Sequence, residues 1–194
     1  MIPLYELSST MVPAQFFGAR NSTRINNRLD YEDGGIGIND PSAGLLYQTW
    51  WGWIEMDGVY LSAANQKEAI NIYESNKLIT EISFTFDQNC RPCLAFVEEN
   101  IPKLIWWDTS VEAQVITTLD TGIVNPRVAM DDKRDKSLST NDIILAYLRN
   151  SNLYYRQQRD RFEVEYLLKT GAGPRLNKIG MGTGLRFQFQ VCKA

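Results

Sequence analysis

A chain of 194 residues with 44% apolar side chains has the length of one domain and enough apolar surface to build a core without disulfides or metal. Its 20 basic and 23 acidic residues leave a formal charge of -3, which argues against broad attraction to a phosphate backbone or an anionic membrane. Histidine is absent, and with it go the commonest general base, every histidine-containing triad and the Cys/His zinc site.

Neither a membrane span nor a secretory leader is expected, since no run of about 18 apolar residues occurs and no basic stretch leads into an apolar one. Abundant Asn, Gln, Ser and Thr beside Tyr, Phe and Trp suit strands and wet interfaces better than long helices, and tilt the reading away from an enzyme. Residues Met1 to Phe17 surround Pro3 and Pro13 with no helical repeat and no clean alternation. They read as an extended arm whose Leu4, Tyr5, Val12, Phe16 and Phe17 are costly to leave in water; a mobile terminus is the alternative.

In the next stretch Arg20, Arg24 and Arg28 share one face of a short predicted helix, and Asp30, Glu32 and Asp33 follow. Gly34-Gly35 and Asp40-Pro41-Ser42 predict turns. The GGIG segment lacks the spacing of a phosphate-binding loop. Asp30, Glu32, Asp33, Asn39 and Asp40 offer oxygen ligands for Ca2+ without the EF-hand spacing, so a salt-bridged loop is the preferred reading. Residues 1–44 are thus expected to form an N-terminal arm and an Arg/Asp/Gly-rich loop. Residues 45–194 are expected to form a single antiparallel β domain of two or three hairpin units.

Leu45 to Trp53 and Gly58 to Ala63 make a candidate hairpin around Met56-Asp57-Gly58. Asn65 to Lys77 predicts a helical turn or a short strand. From Ile82 the pattern is informative: Ile82, Phe84 and Phe86 alternate, a turn covers Asp87 to Pro92, a strand runs from Cys93 to Val97, and a turn at Glu98 to Lys103 leads back through Leu104 to Trp107. The pattern echoes downstream. Ala95-Phe96-Val97 matches Ala146-Tyr147-Leu148, and Leu104 to Trp107 matches Leu153 to Arg156, at a period of about 50 residues with a polar insertion in the second copy.

Such meanders suit a propeller blade or a small sandwich, and two or three of them cannot close a propeller alone. The expected fold is therefore mainly β: antiparallel strands as blade-like meanders, a sandwich or a partly open barrel, with an extended N-terminal arm. Its sheet edges need cover, from the chain itself or from neighbouring subunits. Leu185, Phe187, Phe189 and Val191 alternate with Arg186, Gln188 and Gln190 and predict a half-buried final strand.

Cys90 and Cys93 have a CxxC spacing, but they fall in a predicted turn between strands rather than at a helix N-terminus. Inert thiols are the preferred reading over a redox pair or a zinc knuckle. Arg156, Arg159 and Arg161 interleave with aromatics, and nearby Asp160, Glu163 and Glu165 offset their charge. Subunit contact explains this better than nucleic-acid binding. In Trp50-Trp51 and Trp106-Trp107, one member of each pair is expected in the core and the other at an interface.

The blocks RINNRLDYEDGGIGINDPSAGLLYQ, FTFDQNCRPCLAF, MDDKRD and ILAYLRNSNLYYRQQRDRFEVEYLL, closed by GMGTGLRFQF, resemble a family of small structural proteins encoded among the head and tail genes of tailed bacteriophages. The resemblance spans most of the chain after about residue 16. It implies a virion component of the tail or head-tail neck, and it carries over no catalytic residue. The expectation is a non-enzymatic protein without cofactor or metal, self-associating in a symmetric assembly and joining adjacent tail or neck proteins, with no membrane and no direct nucleic-acid partner. Candidate contacts are Tyr5, Phe16, Arg20, Arg24, Trp50, Trp106, Arg156, Arg159 and Phe162. A glycan-binding or host-recognition module of the virion is the rival, since exposed aromatics serve it equally. An acid-base hydrolase built on Asp30, Glu32 and Asp33 is disfavoured, because adjacent acids alone do not set the required separation.

Overall fold

The computed structural model describes residues 32–37, 48–63, 69–87, 91–131, 142–181 and 187–192. The expected arm and the polar insertion after Asp131 lie outside these residues. What is described is mainly β and built of antiparallel meanders in chain order. The first sheet comprises β1 (Glu32–Gly37), β2 (Gln48–Glu55), β3 (Gly58–Ala63) and β4 (Ile70–Glu74). The second comprises β5 (Ile79–Phe86), β6 (Pro92–Glu98), β7 (Ile101–Asp108) and β8 (Ala113–Thr118). The third comprises β9 (Val124–Asp131), β10 (Asp142–Arg149), β11 (Asn152–Gln157) and β12 (Tyr166–Lys169). A fourth sheet pairs β13 (Arg175–Met181) with β14 (Phe187–Cys192).

The sheets stack face to face around three apolar clusters. Between the first and second, Val59 and Leu61 meet Ile82, Phe84, Phe86, Leu94, Phe96 and Ile105. Between the second and third, Cys93, Ala95, Leu104 and Trp106 meet Val128, Ile143, Leu145 and Tyr147. Between the third and fourth, Ile144, Ala146 and Leu148 meet Leu176 and Ile179. Successive residues of a strand point to opposite faces, so β6 and β10 must be apolar on both. They accordingly read as near-continuous apolar runs rather than alternations. Each Leu, Ile or Phe fully buried there contributes about 1.5–3 kcal/mol.

First strands of successive sheets lie against one another, β1 on β5, β5 on β9 and β9 on β13, whereas the fourth strands make no extensive contact with each other. The stack is therefore a fan, tight at the first strands and open at the fourth. This is a mainly β stack of antiparallel meanders, as expected from the sequence, and it is sandwich-like and partly open. The echo falls on equivalent strands: Ala95 and Ala146 are fully buried on β6 and β10, and the second matched segment falls on β7 and β11, two residues out of register, since Leu104 lies opposite Ala95 but Tyr155 rather than Leu153 lies opposite Ala146.

Turn chemistry fixes the register. Glu99-Asn100 and Asn150-Ser151 have positive φ at both residues, 49° and 66°, then 52° and 62°. These are the two-residue primed turns that match the twist of a hairpin. The first is tighter than the expected Glu98 to Lys103 turn, so β6 and β7 run longer. In the first sheet Gly58 follows the turn, and a Cβ there would sit 2.1 Å from the Tyr73 carbonyl oxygen. Only glycine permits that approach.

One expectation changes and one is resolved. Gly34-Gly35, expected as a turn, lies inside β1, with Gly34 across from Trp51 and Gly35 across from Trp50. Pairing with β2 along its whole length outweighs the weak strand preference of these glycines. Of the helical turn or short strand expected in Asn65 to Lys77, the described part holds the short strand, β4.

Candidate functional site

Much of the chain's charge is spent inside the fan. On the first two sheets, Glu98 at the end of β6 is buried and accepts from Lys103 Nζ at 2.5 Å, from Tyr73 Oη at 3.1 Å and from Ser75 Oγ. Burial alone pushes the Glu98 carboxyl up, but hydrogen bonds from Lys103, Ser75 and Tyr73 outweigh it and hold the pKa below its ordinary value. The same contact with Glu98, helped by Tyr73, raises Lys103.

A second cluster crosses the next contact. Arg156 Nε donates to Tyr147 Oη at 2.8 Å, Tyr147 Oη donates to Glu165, and Arg156 also reaches Asp120 on the β8–β9 connection. Arg149 pairs with Glu165 and lies over the Tyr154 ring, 4.9 Å from its centroid. Burial, then the bond to Glu165, hold the Tyr147 phenol neutral well above its ordinary range.

Along the first strands, Arg127 of β9 donates to Glu81 Oε2 of β5 at 3.0 Å and to the Asn177 carbonyl of β13 at 2.9 Å. One guanidinium thus ties three sheets. At the opposite end of the strands from Glu98, Arg161 donates to Asp108 at 2.8 Å and Arg159 to Asp142 at 2.5 Å. Ser110 first, and Arg161 after it, lower the Asp108 pKa against a desolvation that opposes them. Arg161 and Phe162 both take left-handed backbone, φ 53° and 57°, at a cost of about 1–2 kcal/mol each. Phe162 entering the cluster between the second and third sheets, with its ring at 5.2 Å from that of Trp106, offsets that cost.

The expected contact residues divide accordingly. Tyr5, Phe16, Arg20 and Arg24 lie outside the described residues, as do Asp30, Asn39, Asp40 and Cys90. Trp50 is half-buried, with its ring at 5.4 Å from that of Phe86. Trp106 and Phe162, expected at an interface, are instead core residues. Each sits between two stacked sheets, and Trp106 Nε1 finds its acceptor in Thr117 at 3.0 Å. Trp107 is the more exposed member of its pair, capped by Arg91 at 4.7 Å. Arg156 and Arg159 are engaged by Asp120, Glu165 and Asp142. Composition could not separate these roles, because arginine beside aromatic and acidic residues serves an interface and an internal ion pair alike. Cys93 is buried in the core, and desolvation, then Asp87, push its thiol well above its ordinary pKa, the condition of an inert thiol. Among the described residues no group of three or more Cys, Asp or Glu is placed to hold a metal ion.

Two surfaces that sequence reasoning missed stand out. One is the outer strand of the third sheet, where Tyr166, Leu167 and Leu168 are 36%, 54% and 44% exposed, with Val164 just ahead of it at 45%. The short run Tyr-Leu-Leu reads as core in sequence, since an edge strand exposed on both faces carries no alternation. The other is the face of the first sheet turned away from the second. There Trp53 and Tyr60, directly opposite in register, stack at 6.0 Å and 20°. Trp53 Nε1 donates to Glu55 at 2.6 Å and Tyr60 Oη to Asp57 at 3.0 Å. No family model, curated protein or solved structure matches the chain.

Proposed function

We propose that the chain is a non-enzymatic structural component of a tailed-bacteriophage virion, assembling with copies of itself and with adjacent tail or neck proteins. The observation that carries the assembly is β12, an edge strand that pairs with β11 on one side and with no described strand on the other. Its apolar side chains are exposed on both faces. Such an edge is a template for another strand, and natural proteins otherwise blunt it with charge or cover. The phage assignment rests on the sequence blocks quoted above, whose most specific member ends at β12. The internal ion pairs fit a mechanical role, since they stiffen the fan.

Light-scattering mass across a range of concentrations, with negative-stain imaging of any large species, tests the proposal. Regular multimers are expected for the native chain, and a shift toward monomer for the pair Leu167→Lys and Leu168→Glu with the melting temperature unchanged. A strict monomer that also fails to enter particles refutes it. The stacked Trp53–Tyr60 pair with Glu55 and Asp57 supports a second reading, a glycan-binding module, in which sugar changes tryptophan fluorescence without any change of mass.

A further inference from the structure

We infer that β12 of one copy pairs antiparallel with β12 of a second copy about a two-fold axis, joining their third sheets edge to edge. The inference rests on the self-association proposed above and names the strand that meets β12.

Each of the first three sheets ends in an outer strand, and the three differ. In β4 and β8 some side chains are half-buried, so those strands keep an inward face. Asn71 and Glu74, then Gln114 and Thr118, put polar groups among their exposed positions. In β12 all four residues are exposed, and three of them are Tyr166, Leu167 and Leu168. Lys169 is the only charge within it, so most of this edge lacks the polar protection of the other two.

Charge along this edge selects the partner and its direction. Glu163, just ahead of the strand, and Lys169, its last residue, are both exposed. Other ions nearby are engaged within the chain: Arg159 by Asp142, Arg161 by Asp108, and Glu165 by Arg149 and Arg156. A second β12 laid parallel would set Lys169 beside Lys169. Laid antiparallel with Tyr166 near the axis, it sets Glu163 of each copy toward Lys169 of the other and Val164 toward Leu168. Opposite charges across a strand pair stabilise it, and like charges destabilise it. Tyr166 is already held for such a contact. Its ring stacks on Tyr155 at 5.0 Å and 21°, and its hydroxyl donates to Asp160 at 2.9 Å, so little side-chain freedom is lost on pairing. A two-fold contact closes on itself, and any larger assembly then uses a further surface of the pair.

Two charge reversals at exposed positions test the pairing by light-scattering mass. Lys169→Glu and Glu163→Lys, each alone, should weaken dimerisation about tenfold, because each turns two attractions across the axis into repulsions. An equimolar mixture of the two variants should regain the native affinity as a heterodimer, since both cross-strand pairs are then opposite in charge. A head-to-tail contact, or an unrelated partner on β12, gives no such rescue. As a second measurement, amide hydrogen exchange at residues 166–169 should slow as the native chain is taken from the monomeric to the dimeric range. Native multimers that ignore both reversals, a mixture as weak as its parts, or exchange at these amides that ignores concentration overturns the pairing and leaves the assembly proposal standing. A native chain that is monomeric at every concentration overturns the pairing; if it also fails to enter particles, the assembly proposal falls with it.

Discussion

Replacing Arg127 by alanine is expected to cost about 3–5 kcal/mol, the range for breaking a buried ion pair from one side. Its side chain is 4% exposed and that of its partner Glu81 is 17% exposed. Besides Glu81, the guanidinium donates to the Asn177 carbonyl at 2.9 Å and the Pro126 carbonyl at 3.1 Å. Truncation leaves the Glu81 carboxylate with Asn125 Nδ2 at 3.2 Å but without this cation, and takes a donor from two carbonyls; a hydrogen bond to a charged group alone is worth about 1.5–3 kcal/mol. For a chain of this size 1 kcal/mol moves the melting temperature by about 2–4 °C, so the drop should be about 6–20 °C. Urea unfolding followed by tryptophan fluorescence measures it, with an unchanged slope as the sign that the unfolded state is the same. The comparison is Lys77→Ala, which breaks the pair with Glu99 where both side chains are about half exposed and which should cost far less, because solvent screens an exposed pair. A double-mutant cycle with Glu81→Gln should return a coupling of about 0.5–3 kcal/mol. If Arg127→Ala falls within error of Lys77→Ala, the guanidinium does not clamp the first strands together and the fan is held by its apolar clusters alone.

Phe162→Ala should cost about 3–5 kcal/mol in the same unfolding assay, as for any buried aromatic; a large loss of assembly at unchanged stability would instead return Phe162 to an interface. Glu98 titrates below its ordinary 4.5 and Lys103 above its ordinary 10.5, so their contributions are full between those values. The carboxyl's share is lost as pH falls through its depressed pKa, and the amine's as pH rises through its raised one. Thermal melts should therefore show Glu98→Gln less stable than the native chain at neutral pH, with the gap narrowing below about 4.5; a gap that widens in acid contradicts the pairing. In a Cys90→Ser background, iodoacetamide should modify the half-buried Cys192 in the native state and Cys93 only on unfolding, read by peptide mass. Native modification of Cys93 at a comparable rate would place it outside the core.

The sequence made the repeat legible because burial on both faces leaves a mark that survives divergence. Ala95 and Ala146 occupy the same place on β6 and β10, and alternation located β5 and β14 through Phe84 and Phe86, then Phe187 and Phe189. The β1 strand was hidden by Gly34 and Gly35, whose preference for turns is a local signal that pairing with β2 overrides. The arginines near β11 were placed at a partner because their acids are remote in sequence. Asp120 lies 36 positions before Arg156 and Asp108 lies 53 before Arg161, and no local pattern announces such a pairing. Trp106 was misassigned for a related reason. Alternation predicts one inward and one outward face, and a strand enclosed between two sheets has no outward face.

The ion pairs suggest how a repeated fan fixes its own order. Apolar faces from similar meanders are nearly interchangeable, so hydrophobic burial alone would tolerate the wrong neighbour or a slipped register. The chain places different charges at equivalent points. The residue that closes the second strand of each meander, just before its two-residue turn, is Glu55, Glu98 and Arg149 in turn. Glu98 is met by Tyr73 of β4 and Ser75 of the connection after it, whereas Arg149 and Arg156 are met by Asp120 of theirs. Exchanging the second and third sheets would set Asp120 against Glu98 and leave Arg149 and Arg156 with Glu165 of their own sheet but without Asp120. Removing charges from water makes such pairs modest contributors to net stability, yet a mismatch strands a charge at a cost of several kcal/mol. Their value here lies in that asymmetry: the clusters supply the attraction common to every pair of sheets, and the charges reject all pairs but one.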